Sequence, residues 1–336
     1  MAASTFNITQ AVPVDGEVSF SEIADVAKLP PHKVRQIVRH CITNNIFYES
    51  SPGRISHTAA SRTLHDDEAL RGFVSFCGGE VFRAGAGCVP AMQDKPDSQE
   101  PAESGFSYGH NIVGTPLFQA LGADPQRAKI FSAAMASLSE GDGFELSYLV
   151  DAYPWAELGD AKLVDLGGSH GFVCVALAEK FPRLKFVVQD LPRMVNSVQP
   201  GSIPESVRDR IEFVSHNFFE PQPAKDADVF FFRWILHNWS DKYARKMLES
   251  LIPALKPGAR VIINDICLRL PGEEDAWDNW MTRNMDMTML ELLNARERDD
   301  HDYQQLFAEV DPRFKYKGCR RLDGYRMAVM EAVWEP

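Results

Sequence analysis

No stretch of the 336-residue chain approaches the ~20 apolar residues that a membrane span requires. The opening MAASTFNITQ has neither the basic nor the apolar region of a secretory leader, so a cytoplasmic protein is expected. The six cysteines (Cys41, Cys77, Cys88, Cys174, Cys267, Cys319) include no C-x-x-C pair, and neither a zinc site nor a disulfide framework is indicated. Positive charge is also scarce. The 35 Lys and Arg against 47 Asp and Glu leave a net charge of −12, a balance that repels phosphate backbones and disfavours nucleic acid as a partner. Internal repeats and low-complexity tracts are lacking.

What is present is the composition of an ordinary globular protein, 45% hydrophobic and 24% charged, long enough for two domains at roughly 100 to 200 residues each. Residues 18–20 read as extended, residues 21–28 and 31–44 as two helices with Ile23, Ala24, Ala27 and then Val34, Ile37, Val38, Cys41 at helical spacing. Ile46 to Tyr48, the Pro52-Gly53 turn and Ile55 complete a β-wing, making residues 1–90 a winged-helix domain. Its second helix displays Lys33, Arg35, Arg39 and His40, as a groove-reading helix does. In so acidic a chain it reads instead as a dimerisation or lid element.

Residues 90–107 are polar and rich in Pro and Ser, which implies a surface loop. A helix at 124–139, apolar at Ala128, Phe131, Met135 and Leu138, is expected to connect the domains, giving a linker region over residues 91–155. From 156 to 336, strands at 162–166, 184–189, 211–214, 229–232 and 260–263 alternate with helices at 172–181, 241–255 and 281–294. This is the pattern of βαβ units. Two further β-rich runs, 314–321 and 326–334, are joined by Leu322-Asp323-Gly324-Tyr325 and predict an antiparallel hairpin. The fold class is therefore α/β: a Rossmann-like doubly wound, mostly parallel sheet ending in a hairpin, preceded by an α-rich winged-helix domain.

The first strand of this sheet ends in Asp165-Leu166-Gly167-Gly168-Ser169-His170-Gly171, a glycine turn into a helix where a ligand can approach the backbone. The spacing is G-x-x-x-G rather than the dinucleotide G-x-G-x-x-G. Asp190, at the end of the next strand, is placed to accept hydrogen bonds from both ribose hydroxyls of an adenosine. A ribose acid without a pyrophosphate clamp points to S-adenosylmethionine. Asn217 and Phe218, and Arg233 with Trp234, fall at the next strand ends and are candidates for the adenine.

Beyond Arg233 comes His237, just before Ser240 or Asp241 caps a helix. Asp265 ends the following strand and Glu297 follows the 281–294 helix. A carboxylate on one imidazole nitrogen fixes the tautomer and raises the basicity of the other, so His237 can take a proton from a phenol.

The runs VDLGGSHG, QDLPRMV, HNFFE, DVFFFRWILHNWSDKYARKML, LKPGARVIINDI and NARERD together resemble the class I S-adenosylmethionine-dependent small-molecule O-methyltransferases of the caffeate and flavonoid type. RWILHNWSD and HTAASRTL resemble the fungal secondary-metabolism branch. The resemblance spans residues 8–334. It implies His237 as catalytic base with Asp265 and Glu297 as flanking acids, and Gly167, Gly168, Asp190, Asn217, Phe218 and Arg233 as cofactor contacts. It also implies Phe131 and Met135 in the methyl-acceptor pocket; Met289, Phe106, Tyr108 and His110 are further pocket candidates from the sequence.

Asn217 replaces the aspartate of many relatives, and Arg233 the lysine of plant members. The chain begins almost at the winged helix, whereas family members carry several dozen further N-terminal residues that interlock a dimer. A homodimer is expected, with weaker association or a shortened chain as the corollary of that start. The expected reaction is methylation of a hydroxyl on a small, aromatic or polyketide-derived natural product, without a metal. The rival readings are a methyltransferase fold that binds S-adenosylmethionine but catalyses a non-methylating dehydration or pericyclic step, and a winged-helix DNA regulator.

Overall fold

The computed structural model describes residues 1–336, which form two compact units that do not follow chain order. One comprises Met1–Ala86 with Leu117–Glu140, the other Gly87–Pro116 with Gly141–Pro336. The stretch 91–155, expected as a linker, is therefore shared out between them. No helix is long and apolar enough to cross a membrane.

The first unit contains the winged helix. Strands β1 (Val18–Ser19), β2 (Phe47–Ser51) and β3 (Arg54–His57) form an antiparallel sheet in the order β1-β3-β2. Helix Phe20–Ala27 starts at a capping box in which Glu22 N donates to Ser19 Oγ and Ser19 N donates to Glu22 Oε2. Helix Pro31–Thr43 packs Val34 and Val38 on Ile8, Ile23, Phe47 and Ile55. Arg39 is not a free cation: its Nε and Nη2 donate to Glu49 of the wing at 3.0 and 2.8 Å. Helix Pro125–Ser139, capped by the Asp124 side chain, also belongs to this unit.

The second unit is built on seven strands: β4 (Lys162–Leu166), β5 (Lys185–Asp190), β6 (Ile211–Ser215), β7 (Val229–Arg233), β8 (Arg260–Asp265), and, past a two-residue pair β9 (Cys267–Leu268) and β10 (Arg298–Asp299), β11 (Phe314–Arg320) and β12 (Ala328–Trp334). The order is β11-β12-β8-β7-β4-β5-β6, parallel from β6 to β8 and antiparallel at β12 and β11. The central strands are almost continuously apolar because both faces are covered: Phe230, Phe231 and Phe232 are all buried. The chain runs outward from β4 to β5 and β6, then returns to the other side of β4 for β7 and β8. The switch point therefore lies between β4 and β7, and ligands of such sheets bind at the carboxyl ends there.

Three local expectations are corrected. Residues 90–107 are not an open loop: helix Phe82–Asp94 runs through Pro90, and the following segment is tied down, with Ser240 Oγ donating to Gln99 O and Asn294 Nδ2 to Ser98 O. Ser240 sits at the N-cap position of helix Asp241–Leu251 but does not cap it: its hydroxyl donates to Gln99 O, and the Lys242 N–H donates to Gln99 Oε1 instead. The helix expected from 281 starts earlier, at Ala276, where Asp275 accepts from Trp277 N and Asp278 N.

Candidate active site

At the switch point, β4 passes into the turn 167–171, with Gly167 at φ +75°, Ser169 at φ +52° and Gly171 at φ +77°. A Cβ on Gly167 would lie 2.5 Å from Ile235 Cδ1, and one on Gly168 2.5 Å from Asp165 Oδ2. The glycines are therefore demanded first by the protein's own packing, and the tight turn this permits leaves the backbone at the sheet's edge. Beneath it the Asp165 carboxyl is fully buried, and burial pushes it up to about 7.

Asp190, at the end of β5, accepts from Ser169 N at 2.9 Å through Oδ2 and from Leu191 N at 2.7 Å through Oδ1. Two backbone donors fix the carboxylate while each oxygen keeps a second lone pair for a ligand. Next along the edge, Asn217 Oδ1 accepts from Phe219 N at 3.1 Å, which leaves its amide NH2 to donate. The Phe218 ring is half-buried against Phe219 and Trp239. Carboxylate, amide and aromatic face are the donor set that an adenosine needs, so these residues fit the cofactor expected from the sequence. Arg233 does not join them. Its Nη1 donates to Asn264 Oδ1 and to Tyr325 OH, the latter at 2.9 Å, and its Nη2 donates to Phe144 O at 3.0 Å, so the guanidinium is spent inside the protein.

After β7 the chain reverses at Trp234, a non-glycine residue at φ +56°, a conformation that costs roughly 1–2 kcal/mol. Trp234 N donates to Asn264 O and Asn238 Nδ2 to Trp234 O, and these bonds hold the turn. A single 3-10 turn, Leu236–Asn238, then carries His237, with the indole of Trp234 5.0 Å from the imidazole. Trp234 Nε1 is buried without a partner.

The two expected acids both reach His237, but differently. Glu297 Oε1 lies 2.9 Å from His237 Nδ1; the carboxylate is acceptor-only, so Nδ1 carries the proton and Nε2 the lone pair. Nε2 has no protein partner. Asp265 Oδ2 accepts from the backbone N of His237 at 3.2 Å and does not touch the ring. Glu297 is oriented in turn by its own N–H, which donates to Asp286 Oδ1 at 2.9 Å. Burial pulls the His237 pKa down, but the Glu297 charge and hydrogen bond, with Asp265, outweigh it, and the net direction is upward. Asp265 is raised by burial to about 6.

The sequence did not single out Arg298. Its side chain is 0% exposed, and it donates to Leu236 O, Trp239 O and Asp241 Oδ1, spanning the segment that carries His237. The one available signal was its place directly after Glu297. Asp190 ends β5 and His237 follows β7, the two strands that flank β4 and so lie about 10 Å apart at strand spacing. Of the expected acceptor-lining residues, Met289 is buried on helix Ala276–Leu293 in this unit. Phe131 and Met135 lie on helix Pro125–Ser139 of the other unit, where Phe131 meets the rings of Phe76 and Phe118. Phe106, Tyr108 and His110 fall in this unit, in or beside the short helix Gly105–Gly109, with Phe106 fully buried.

Comparison with known proteins bears on the family and the fold. The O-methyltransferase domain family matches residues 98–311. A chlorophenol O-methyltransferase of Trichoderma longibrachiatum is 46% identical over 336 residues, covering 99% of this chain and 72% of that one. The crystal structure of OxaC superposes with TM-score 0.83 at 22% identity, over 99% of this chain and 85% of that one. A structure described as a pericyclic reaction enzyme superposes at 0.79 with 20% identity, over 99% and 84%. At such identities the structures share the fold alone. The matched family and the curated relative carry the assignment: the chain belongs to the S-adenosylmethionine-dependent small-molecule O-methyltransferases.

Proposed function

We propose that His237 is the general base for methylation of a phenolic hydroxyl on a small molecule. The observation that carries this reading is the 2.9 Å bond between His237 Nδ1 and Glu297 Oε1, which leaves Nε2 as an unengaged acceptor at the ligand edge of the sheet. A free phenol, pKa about 10, keeps its proton at neutral pH, and removing it as the oxygen attacks requires a positioned base. Asp190, Asn217 and Phe218, with the turn at Gly167 and Gly168, are the residues that would hold S-adenosylmethionine. When bound, that cofactor supplies a methyl group on a cationic sulfur. Arg233 acts one step removed, fixing Asn264 and Tyr325 behind the edge. The name of the Trichoderma relative supports a phenol as acceptor. The intact His237–Glu297 pair favours methyl transfer over a pericyclic step, which moves no proton to a base.

The test is transfer of labelled methyl to phenols and to matched aliphatic alcohols, with mass spectrometry of the products. Phenols that gain a methyl group are expected; a dehydrated or isomerised product without one overturns the reading. The pH dependence has a definite sign. A base works when deprotonated, so a raised His237 pKa places the acidic limb of kcat/KM above 6.5, with activity falling as pH drops through it. In Glu297→Gln the raising charge is gone and burial dominates, so the inflection moves below 6.5 while the plateau falls. An inflection that stays put removes Glu297 from this role. The expected homodimer is part of the same reading, and sedimentation velocity checks it, a monomer at micromolar concentration being the contrary result.

A further inference from the structure

Asp190, the carboxylate that fits the ribose, is aimed from two sides: Ser169 N of the glycine turn donates to Oδ2, and Leu191 N of the outgoing chain donates to Oδ1. The turn is anchored from below, since Gly167 N and Gly168 N both donate to Gln189 O of β5. The outgoing side is not. From Leu191 to Ser202 no residue is buried, Leu191 itself being 53% exposed, and the chain rejoins the core only at Ile203. The helix in this stretch, Pro192–Val195, is a single turn, too short to hold its shape alone. Apolar packing does little to place the segment, so polar bonds must.

His170 supplies one such bond across 27 positions. Its Nε2 lies 3.2 Å from Ser197 Oγ and its Nδ1 3.1 Å from Ser169 Oγ. The direction of each bond follows from counting hydrogens. Ser197 Oγ already donates to Met194 O at 2.7 Å, and a hydroxyl has one hydrogen, so Ser197 accepts and His170 Nε2 carries the proton. In the neutral ring Nδ1 is then the acceptor, and the Ser169 hydroxyl donates to it. This is the opposite tautomer from His237, whose Nδ1 carries the proton. The outcome is a directed chain from Ser169 through His170 and Ser197 to Met194 O, with every member satisfied. Ser169 is held at φ +52°, a conformation that serine adopts at a cost, and its hydroxyl bond helps to keep it there.

We propose that His170 is a positioning residue for S-adenosylmethionine: its imidazole clasps the glycine turn to the chain leaving β5, so that the two N–H groups aiming Asp190 keep their places. His170 acts through Asp190 and touches no reacting atom. The clasp lies on the adenosine side of the site, and adenosine is common to the cofactor and to its product, S-adenosylhomocysteine. It therefore sets the affinity for both alike and leaves the methyl-transfer step alone. This inference rests on the reading of Asp190 as the acid that holds the ribose.

The test is isothermal titration of S-adenosylmethionine and of S-adenosylhomocysteine into the full chain. His170→Ala is expected to weaken both by the same factor, about threefold to tenfold, the net worth of one hydrogen bond. In turnover the loss should appear in KM for the cofactor, with kcat at saturation within about twofold of the parent. His170→Gln can place its amide NH2 where Nε2 lies and should recover most of the affinity. His170→Asn reaches Ser169 but not Ser197 and should behave as Ala does. Ser197→Ala should match His170→Ala, and the double variant should bind no more weakly than either single one. Losses that multiply in the double variant, affinity intact in both single variants, or a fall in kcat with Kd unchanged each overturn the clasp. Asp190→Ala separates the two failures. Cofactor affinity retained there sinks the reading of Asp190 and the clasp with it; affinity lost there but kept in His170→Ala sinks the clasp alone.

Discussion

Replacing His237 by Gln is expected to lower turnover about 10²- to 10⁴-fold, the usual worth of general-base catalysis, with S-adenosylmethionine affinity unchanged. Glutamine is close in size and its amide can still donate to Glu297, so the surroundings keep a partner. What disappears is the basic nitrogen. The residues that fit the cofactor are Asp190, Asn217 and Phe218 at the ends of β5 and β6, on the far side of β4 from His237, which is why binding and chemistry separate. Isothermal titration with the cofactor and a single-turnover assay with labelled methyl read the two halves. Intact binding with intact turnover would place the base elsewhere.

Arg298→Ala is expected to be nearly as damaging, by another route. The guanidinium fastens both ends of the segment 236–241: Nη1 donates to Leu236 O at 3.0 Å, Nη2 to Trp239 O at 2.9 Å, and Nε and Nη2 to Asp241 Oδ1 at 3.0 and 2.8 Å. Truncation orphans two carbonyls and half of the Asp241 pairing, while Arg296 keeps its hold on Asp241 Oδ2. A loss of about 3 kcal/mol follows, the lower end for a broken buried pair because Asp241 is partly exposed and retains a partner. Urea unfolding measures it. With the segment loosened, kcat/KM should fall roughly a hundredfold. The pH profile distinguishes positioning from mere destabilisation. The Arg298 charge holds the His237 pKa down, so its removal moves the acidic limb further up. Arg298→Lys retains the charge without the fork and should lose rate with the limb in place. A limb that does not move in Arg298→Ala would show that the charge is not felt at His237.

Much of the catalytic unit was legible because its strands announce themselves: apolar runs such as VFFF and RVIIND, separated by helical periods and glycine turns, gave every strand of the large sheet and its terminal hairpin. Among the helices that were not read, three carry misleading signals. Gly72 and Pro90 look like breakers, yet both lie within helices, Glu68–Phe76 and Phe82–Asp94. Gly72 is there for close approach, since a Cβ would come 2.5 Å from Ala133 Cβ. Helix Asp300–Val310 hides behind a run of acidic residues in which Asp299 and Asp302 form the capping box. At the site, strand-end logic placed Asp190, His237, Asp265 and Glu297 on one edge. Logic of that kind says nothing about where a side chain points. That Asp265 takes the backbone amide rather than the ring, that Arg233 turns inward, and that Arg298 spans the His237 segment are decided by residues far away in sequence, Tyr325 and Asn264 among them.

The segment at 98–100 has a consequence for anyone wishing to transplant this enzyme's chemistry. Its bonds to Ser240, Lys242, Tyr243 and Asn294 come from residues more than a hundred positions upstream of those they touch. A graft that begins at the first strand of the sheet would leave this brace behind. The transferable module is discontinuous, and a swap between relatives must carry residues 87–116 along with 141–336 or accept a catalytic face missing one of its walls.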